Sequence, residues 1–111
     1  MNKLVDKTNV FRFFCYQSAL PSPYETMFSI HRLAEHFNTT RYHMRKIVKT
    51  LEQEGLLVLM CVGAQDEDGN VQCRKGYSIT PKATESEIFK EENQRVVKEL
   101  NDFLNDKKQE D

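Results

Sequence analysis

The chain has 111 residues, 39% of them apolar and 30% charged, which is enough for one compact domain and unlike a disordered segment. No apolar run approaches the roughly 20 residues needed to cross a bilayer, and the N-terminus lacks a signal-peptide core, which predicts a cytoplasmic protein. Its three cysteines have no disulfide-scaffold or CxxC spacing, so they are expected to be reduced thiols.

The net charge of −1 conceals an uneven distribution of charge along the chain. Between residues 31 and 50, five lysines and arginines face a single acid, and all three histidines fall in the same segment. Beyond residue 83, nine acids face five bases. A basic segment within a nearly neutral chain indicates a local contact with nucleic acid that the overall charge does not reveal.

The first predicted element is a helix over residues 8–19, although its aromatic and β-branched content also allows a strand. Its apolar residues fall near one face, and the proline pair Pro21 and Pro23 ends it. A connection from Tyr24 follows, with a very short strand expected at Met27 and Phe28.

Two helices separated by a tight turn come next. Ser29 is a plausible N-cap for a helix over Ile30–Phe37, and Asn38 tolerates the left-handed conformation that ends such a helix. The following helix is predicted over residues 40–54 and stops at Gly55. Both helices carry one apolar face at helical spacing, made of Ile30, Leu33, Ala34 and Phe37 in the first and Met44, Ile47, Val48 and Leu51 in the second.

A β-hairpin and a long helix complete the chain. The apolar run Leu56–Val62 and the segment Val71–Thr80 are predicted strands, joined through a turn at Asp68-Gly69. Residues 84–108 are predicted to form one amphipathic helix. Cys61 and Cys73 lie on the two strands, where an opposed pair would allow a redox disulfide, although two ordinary strand residues are the simpler interpretation.

The segment SIHRLAEHFNTTRYHMRKIVKTLEQEGLLVL, with the hairpin exit YSITPKA, resembles the core of bacterial winged helix-turn-helix transcriptional regulators. The matching motifs are Leu33-Ala34-Glu35, the turn at Asn38-Thr39-Thr40, and Leu51-Glu52-Gln53-Glu54-Gly55-Leu56. The resemblance covers roughly residues 27–83 and is specific for the superfamily rather than for one family. It implies a mainly α fold with a small β-hairpin, a winged helix-turn-helix with an extra C-terminal helix.

The resemblance also implies a domain division and a function. Residues 1–83 would form the DNA-binding domain, with the helix-turn-helix at about 30–54 and the wing hairpin at about 56–80, and residues 84–108 a C-terminal dimerisation helix. The chain would be a dimeric regulator of transcription that binds a specific sequence of double-stranded DNA. A protein–protein interaction module, or a DNA-binding accessory protein of a phage or mobile element, is the alternative.

The predicted DNA-binding side chains belong to the basic helix and its cap. Arg41 and Arg45 are expected to read bases, since arginine pairs with guanine through two hydrogen bonds, and Lys46 and Lys49 to contact phosphates. The acidic wing tip stands where many members of the superfamily carry Arg or Lys, so the helix is expected to carry recognition with little help from its own wing. The full set is Thr39, Thr40, Arg41, Tyr42, His43, Arg45, Lys46 and Lys49.

No other chemistry is predicted. His31 and His36 are poorly spaced for one helical face, and no nucleophile–base pair or phosphate-binding glycine loop occurs, so neither a metal, a cofactor nor an enzyme is expected. The C-terminal helix carries more apolar surface than a small domain can cover, which predicts a homodimer. Its expected dimerisation residues are Phe89, Val96, Val97, Leu100, Phe103 and Leu104.

Overall fold

The computed structural model describes residues 5–21 and 26–109. The described elements are five helical segments and two strands, in the order α1 (Lys7–Ala19), α2 (Ile30–His36), α3 (Arg41–Gln53), β1 (Leu57–Gln65), β2 (Val71–Ile79), a 3₁₀ turn (Lys82–Glu85) and α4 (Glu87–Gln109). The strands form one antiparallel hairpin. This arrangement is a winged helix-turn-helix with an extra C-terminal helix, so the predicted fold class is confirmed.

The first three helices begin where a short polar side chain can cap them. Asp6, Ser29 and Thr40 each accept a hydrogen bond from the backbone N–H three residues further on, which satisfies a donor that the first helical turn leaves unpaired. The predicted helix over residues 8–19 is confirmed, and the strand alternative for that segment is wrong. The predicted connection from Tyr24 begins outside the described residues.

Two left-handed residues set the turns on either side of α3. Asn38 has a φ of 53° and Gly55 a φ of 79°. In each turn a backbone N–H reaches back to a carbonyl five residues earlier, from Thr39 to Ala34 and from Leu56 to Leu51. These bonds close the C-termini of α2 and α3.

The core lies where α1, α2, α3 and the base of the hairpin meet. The apolar face predicted for α3 is buried there, together with Leu33 and Ala34 of α2. Phe28 pairs with Tyr77 as an isolated antiparallel bridge, which confirms a short extended segment before α2. The buried core residues are Val10, Phe11, Phe14, Cys15, Phe28, Leu33, Ala34, Phe37, Met44, Ile47, Val48, Leu51, Leu57 and Ala83.

The prediction of one helix over residues 84–108 is wrong at its start. A 3₁₀ turn ends at Glu85, Ser86 is extended with a ψ of 153°, and the helix begins at Glu87. Ser86 Oγ accepts a hydrogen bond from the N–H of Phe89. The chain therefore breaks at Ser86 because a serine there caps a new helix instead of extending the preceding turn.

The segment that precedes α2 lies very close to strand β2 at Gly76, and this close approach requires a glycine. A Cβ atom at this position would lie 2.7 Å from Met27 Cγ and 3.1 Å from the backbone of Phe28. We expect Gly76→Ala to lower the free energy of unfolding by about 1–3 kcal/mol, since the backbone cannot yield as a flexible side chain can. Chemical denaturation measures the difference.

Gly63→Ala is the matched control for that substitution. Its added Cβ would meet nothing closer than Val71 at 3.7 Å, which is ordinary contact. The two variants should therefore differ in stability, and equal midpoints of unfolding would show that the approach of Phe28 to Gly76 does not constrain the fold.

Candidate nucleic-acid interface

Helix α3 presents a basic outer face opposite its buried face. Tyr42, Arg45, Lys46 and Lys49 are all exposed, and Tyr42 retains 66% of its accessible surface. The Nζ of Lys46 lies 4.5 Å from the centre of the Tyr42 ring, a cation–π contact along the helix. The outer face therefore combines cations with one aromatic side chain available to a partner.

The N-terminus of α3 is held by its two threonines. Thr40 Oγ1 accepts a hydrogen bond from the N–H of His43 at 3.0 Å, and Thr39 Oγ1 lies 2.9 Å from His43 Nδ1. Thr40 thus caps the N-terminus of α3, and Thr39 holds the side chain of His43 in the first turn. This arrangement presents a fixed N-terminal turn, the part of a recognition helix that faces base edges.

Arg41 is oriented by a histidine and a carboxylate from α2. Its Nη2 lies 2.7 Å from His31 Nδ1, and His31 Nε2 lies 2.8 Å from Glu35 Oε1. A neutral imidazole with its proton on Nε2 satisfies both contacts, because Nδ1 then accepts from Arg41 while Nε2–H donates to Glu35. His31 and Glu35 therefore position the Arg41 side chain. The sequence did not reveal this role, because the four-residue spacing of His31 and Glu35 does not show that Arg41 of the next helix contacts His31.

A second cationic cluster, also missed by sequence reasoning, lies between the start of α2 and β2. Arg32, Arg74 and Lys75, together with Met27 and Ser29, line an open cavity of about 230 Å³. The sequence reasoning considered only the wing tip, whereas these two wing cations lie along the strand. Arg32 follows His31 in α2, and His31 contacts Arg41.

The acidic wing tip has a structural use. Asp66 Oδ1 accepts hydrogen bonds from the N–H groups of Asp68, at 3.0 Å, and Asn70, at 2.8 Å. Gly69 adopts a φ of 84°, which the turn requires. Asp66 therefore serves to close the tip, and Glu67 and Asp68 are exposed beside it.

In the part of the chain that the structure describes, no group of three or more His, Cys, Asp or Glu side chains is arranged to hold a metal ion. Cys15 is fully buried, and burial raises the pKa of its thiol to about 12. Cys15 is therefore a core residue.

The six residues expected in a dimer surface divide into two groups. Val96 is buried and Phe89 is partly buried against the chain's own core. The other four are exposed on the outer half of α4, namely Val97, Leu100, Phe103 and Leu104.

Helix α4 lies alongside α1, and the two helices run in the same direction. Arg12 contacts Glu91 and Glu92, whereas Tyr16, one turn further along α1, donates a hydrogen bond to Glu99. Since α1 ends at Ala19, the last two turns of α4 extend beyond it.

Within the described residues, no helix is long and apolar enough to span a membrane.

No protein-family model matches this chain, and no curated protein matches it significantly. Among solved structures, the chain is similar to the adhesin competence repressor of Streptococcus pyogenes, with a TM-score of 0.48 and 19% sequence identity. The alignment covers 94% of this chain but only 66% of the repressor, so the chain spans about two thirds of that protein's length. The fold assignment above rests on the order and pairing of the chain's own elements.

Proposed function

We propose that this protein is a regulator of transcription that binds double-stranded DNA sequence-specifically, with α3 in the major groove. The observation that carries the proposal is the capped α3, whose outer face holds exposed cations while its inner face is fixed in the core. An α-helix fits the width of the major groove, and residues of its N-terminal turns reach base edges.

The cations have different roles in this proposal. Arg41 and Arg45, one turn apart on one flank of α3, pair with base edges. Lys46 and Lys49, further toward the centre of the outer face, neutralise phosphates beside the groove. Arg32, Arg74 and Lys75 add a second phosphate contact, supported by their common cavity beside the start of α2.

The dependence of DNA affinity on salt tests the proposal. Replacing Lys46 and Lys49 by alanine is expected to flatten the slope of log K against log salt by about 2, because each phosphate contact contributes a slope of roughly one. Fluorescence anisotropy with a labelled duplex measures this slope. The Arg74→Ala, Lys75→Ala variant should flatten it similarly.

Lys90→Ala, Lys98→Ala is the matched control, since it also removes two lysine charges, here from exposed sites on α4. Its slope should equal that of the unaltered protein. If random duplex DNA is not bound even at low salt, the DNA-binding proposal is wrong, and the interaction-module alternative is favoured.

We further propose that the protein acts as a homodimer through the outer half of α4. Leu100 and Leu104 continue the apolar side of the helix past the end of α1, and Val97 adjoins them. A second copy offers the same stripe, so a two-fold axis would cover both stripes at once. The two α3 helices would then lie about 34 Å apart and read a palindromic site.

A Leu100→Glu, Leu104→Glu variant is expected to be monomeric, because the new carboxylates would face their own copies across the two-fold axis. Light scattering after size-exclusion chromatography measures the mass. Val71→Glu, which places an acid at a wing residue with 71% exposure, is the control and should retain the dimer mass. A monomeric unaltered protein at micromolar concentration would contradict the dimer proposal.

A further inference from the structure

Two exposed thiols lie diagonally across the wing hairpin. The strand register places Cys61 opposite Lys75 and Cys73 opposite Gly63. The alternative in which the two cysteines lie directly opposite one another is therefore wrong, because their positions are offset by two residues in the register. Since side chains two residues apart share a face of a strand, Cys61 and Cys73 are diagonal neighbours on the same face. Both are exposed.

This diagonal spacing suits a bridging atom better than a direct disulfide. Diagonal residues of an antiparallel pair have Cα atoms about 7–8 Å apart, with the Cβ atoms somewhat closer. A disulfide usually joins Cα atoms about 5.5–6 Å apart, and separations above about 7 Å require the backbone to move. Two thiolates bound to one metal ion at about 2.3 Å each hold their sulfurs up to about 4.6 Å apart, more than twice a disulfide bond.

The ligand set selects the kind of ion. The described residues offer no third or fourth His, Cys, Asp or Glu beside the pair, so the tetrahedral four-ligand site that structural zinc requires is not formed. Two thiolates favour a soft cation that is stable with two ligands, and Cu(I) is such an ion. Lys75, directly across from Cys61, supplies a cation beside the resulting anionic complex.

We propose that Cys61 and Cys73 form a two-coordinate site for a soft monovalent cation, with Cu(I) as the ion of best fit. Binding replaces two S–H bonds by two Cu–S bonds and releases two protons, so that two thiols and one Cu⁺ give a bis-thiolate complex with a charge of −1 and two H⁺. No electron is transferred. The site shares Lys75 with the proposed second phosphate contact, but its two sulfur ligands are separate from the residues proposed to contact DNA, so it can be tested without DNA.

The test is an anaerobic titration of the full chain with Cu(I), in competition with a chromogenic Cu(I) chelator. One ion per chain is expected to bind, with two sulfur neighbours in the X-ray absorption spectrum. Cys61→Ser and Cys73→Ser should each abolish that competition. Cys15→Ala removes the buried third thiol and should retain it.

Three results of the titration would overturn the proposal, and so would one result of an oxidation experiment. These are binding that survives either serine substitution, binding that depends on Cys15, and a stoichiometry of one ion per two chains, which would mean an intermolecular site. Circular dichroism of each variant establishes that the hairpin remains folded. Rapid and complete formation of an intramolecular Cys61–Cys73 disulfide with peroxide would also contradict the geometric argument, because the pair would then lie within disulfide distance.

Discussion

Replacing Arg41 and Arg45 together by alanine is expected to lower affinity for the specific DNA site by roughly 30-fold or more, since each bidentate contact to a base contributes about 1–3 kcal/mol. Both side chains are exposed. Arg41 contacts His31 at the protein surface and supports no part of the core. The variant should therefore remain folded while it loses base readout, and competitive binding of specific and random duplexes measures that loss.

The Lys46→Ala, Lys49→Ala variant is the matched control for this prediction. It also removes two cations from α3, but these are assigned to phosphates, so affinity for specific and random DNA should fall by the same factor. The arginine variant should instead reduce the ratio between the two affinities. An unchanged ratio in the arginine variant would show that Arg41 and Arg45 bind phosphate and that the bases are read elsewhere.

The second large effect is expected at the contact between α1 and α4. Glu92 is buried, with 2% of its side chain exposed, and lies between two arginines. Arg12 Nη1 donates to its Oε1 at 2.9 Å, and Arg95 Nη1 lies 3.1 Å from its Oε2 without an aligned hydrogen bond. The hydrogen bonds that Arg12 donates to Glu92, and secondarily to Glu91, raise the pKa of Arg12.

An Arg12→Ala, Arg95→Ala variant is expected to lose about 3 kcal/mol of unfolding free energy, because it leaves the buried Glu92 carboxylate without a counter-charge. This figure is the low end of the usual range, since both arginines are partly exposed to solvent. Urea denaturation measures the loss. The individual surface contacts of these arginines with Glu91 and Glu99 should contribute little.

Adding Glu92→Gln to that variant provides the control. The amide has nearly the shape of the carboxylate but no charge to desolvate, so it should recover much of the lost stability. If the triple variant is no more stable than the double variant, the loss comes from the packing of the arginine side chains, such as that of Arg95 over the Tyr16 ring, and not from the buried charge.

The helix-turn-helix could be predicted from sequence because its signals are local. Ser29 and Thr40 cap the helices that follow them, and Asn38 and Gly55 occupy left-handed positions that end the helices before them. The apolar spacing of α3 then fixes which side is buried. The basic outer face follows directly from that choice, which is why the proposed DNA-binding surface was visible in the sequence.

What the sequence did not reveal depends on contacts between distant residues. The diagonal placement of Cys61 and Cys73 follows from the strand register, and no local signal in either strand specifies it. Arg74 and Lys75 join Arg32 only because Phe28 pairs with Tyr77 and brings β2 beside the start of α2. The break at Ser86 had a local signal, a serine followed by an acid, but the apolar spacing beyond it concealed the boundary.

Selection of bound duplexes from a random pool tests most directly the central claim that α3 reads DNA. The unaltered protein should enrich a palindromic consensus with half-sites about one helical turn, or roughly 10 base pairs, apart. The Arg41→Ala, Arg45→Ala variant should lose specific positions from each half-site. Failure of the unaltered protein to enrich any sequence, even at low salt, would contradict the claim.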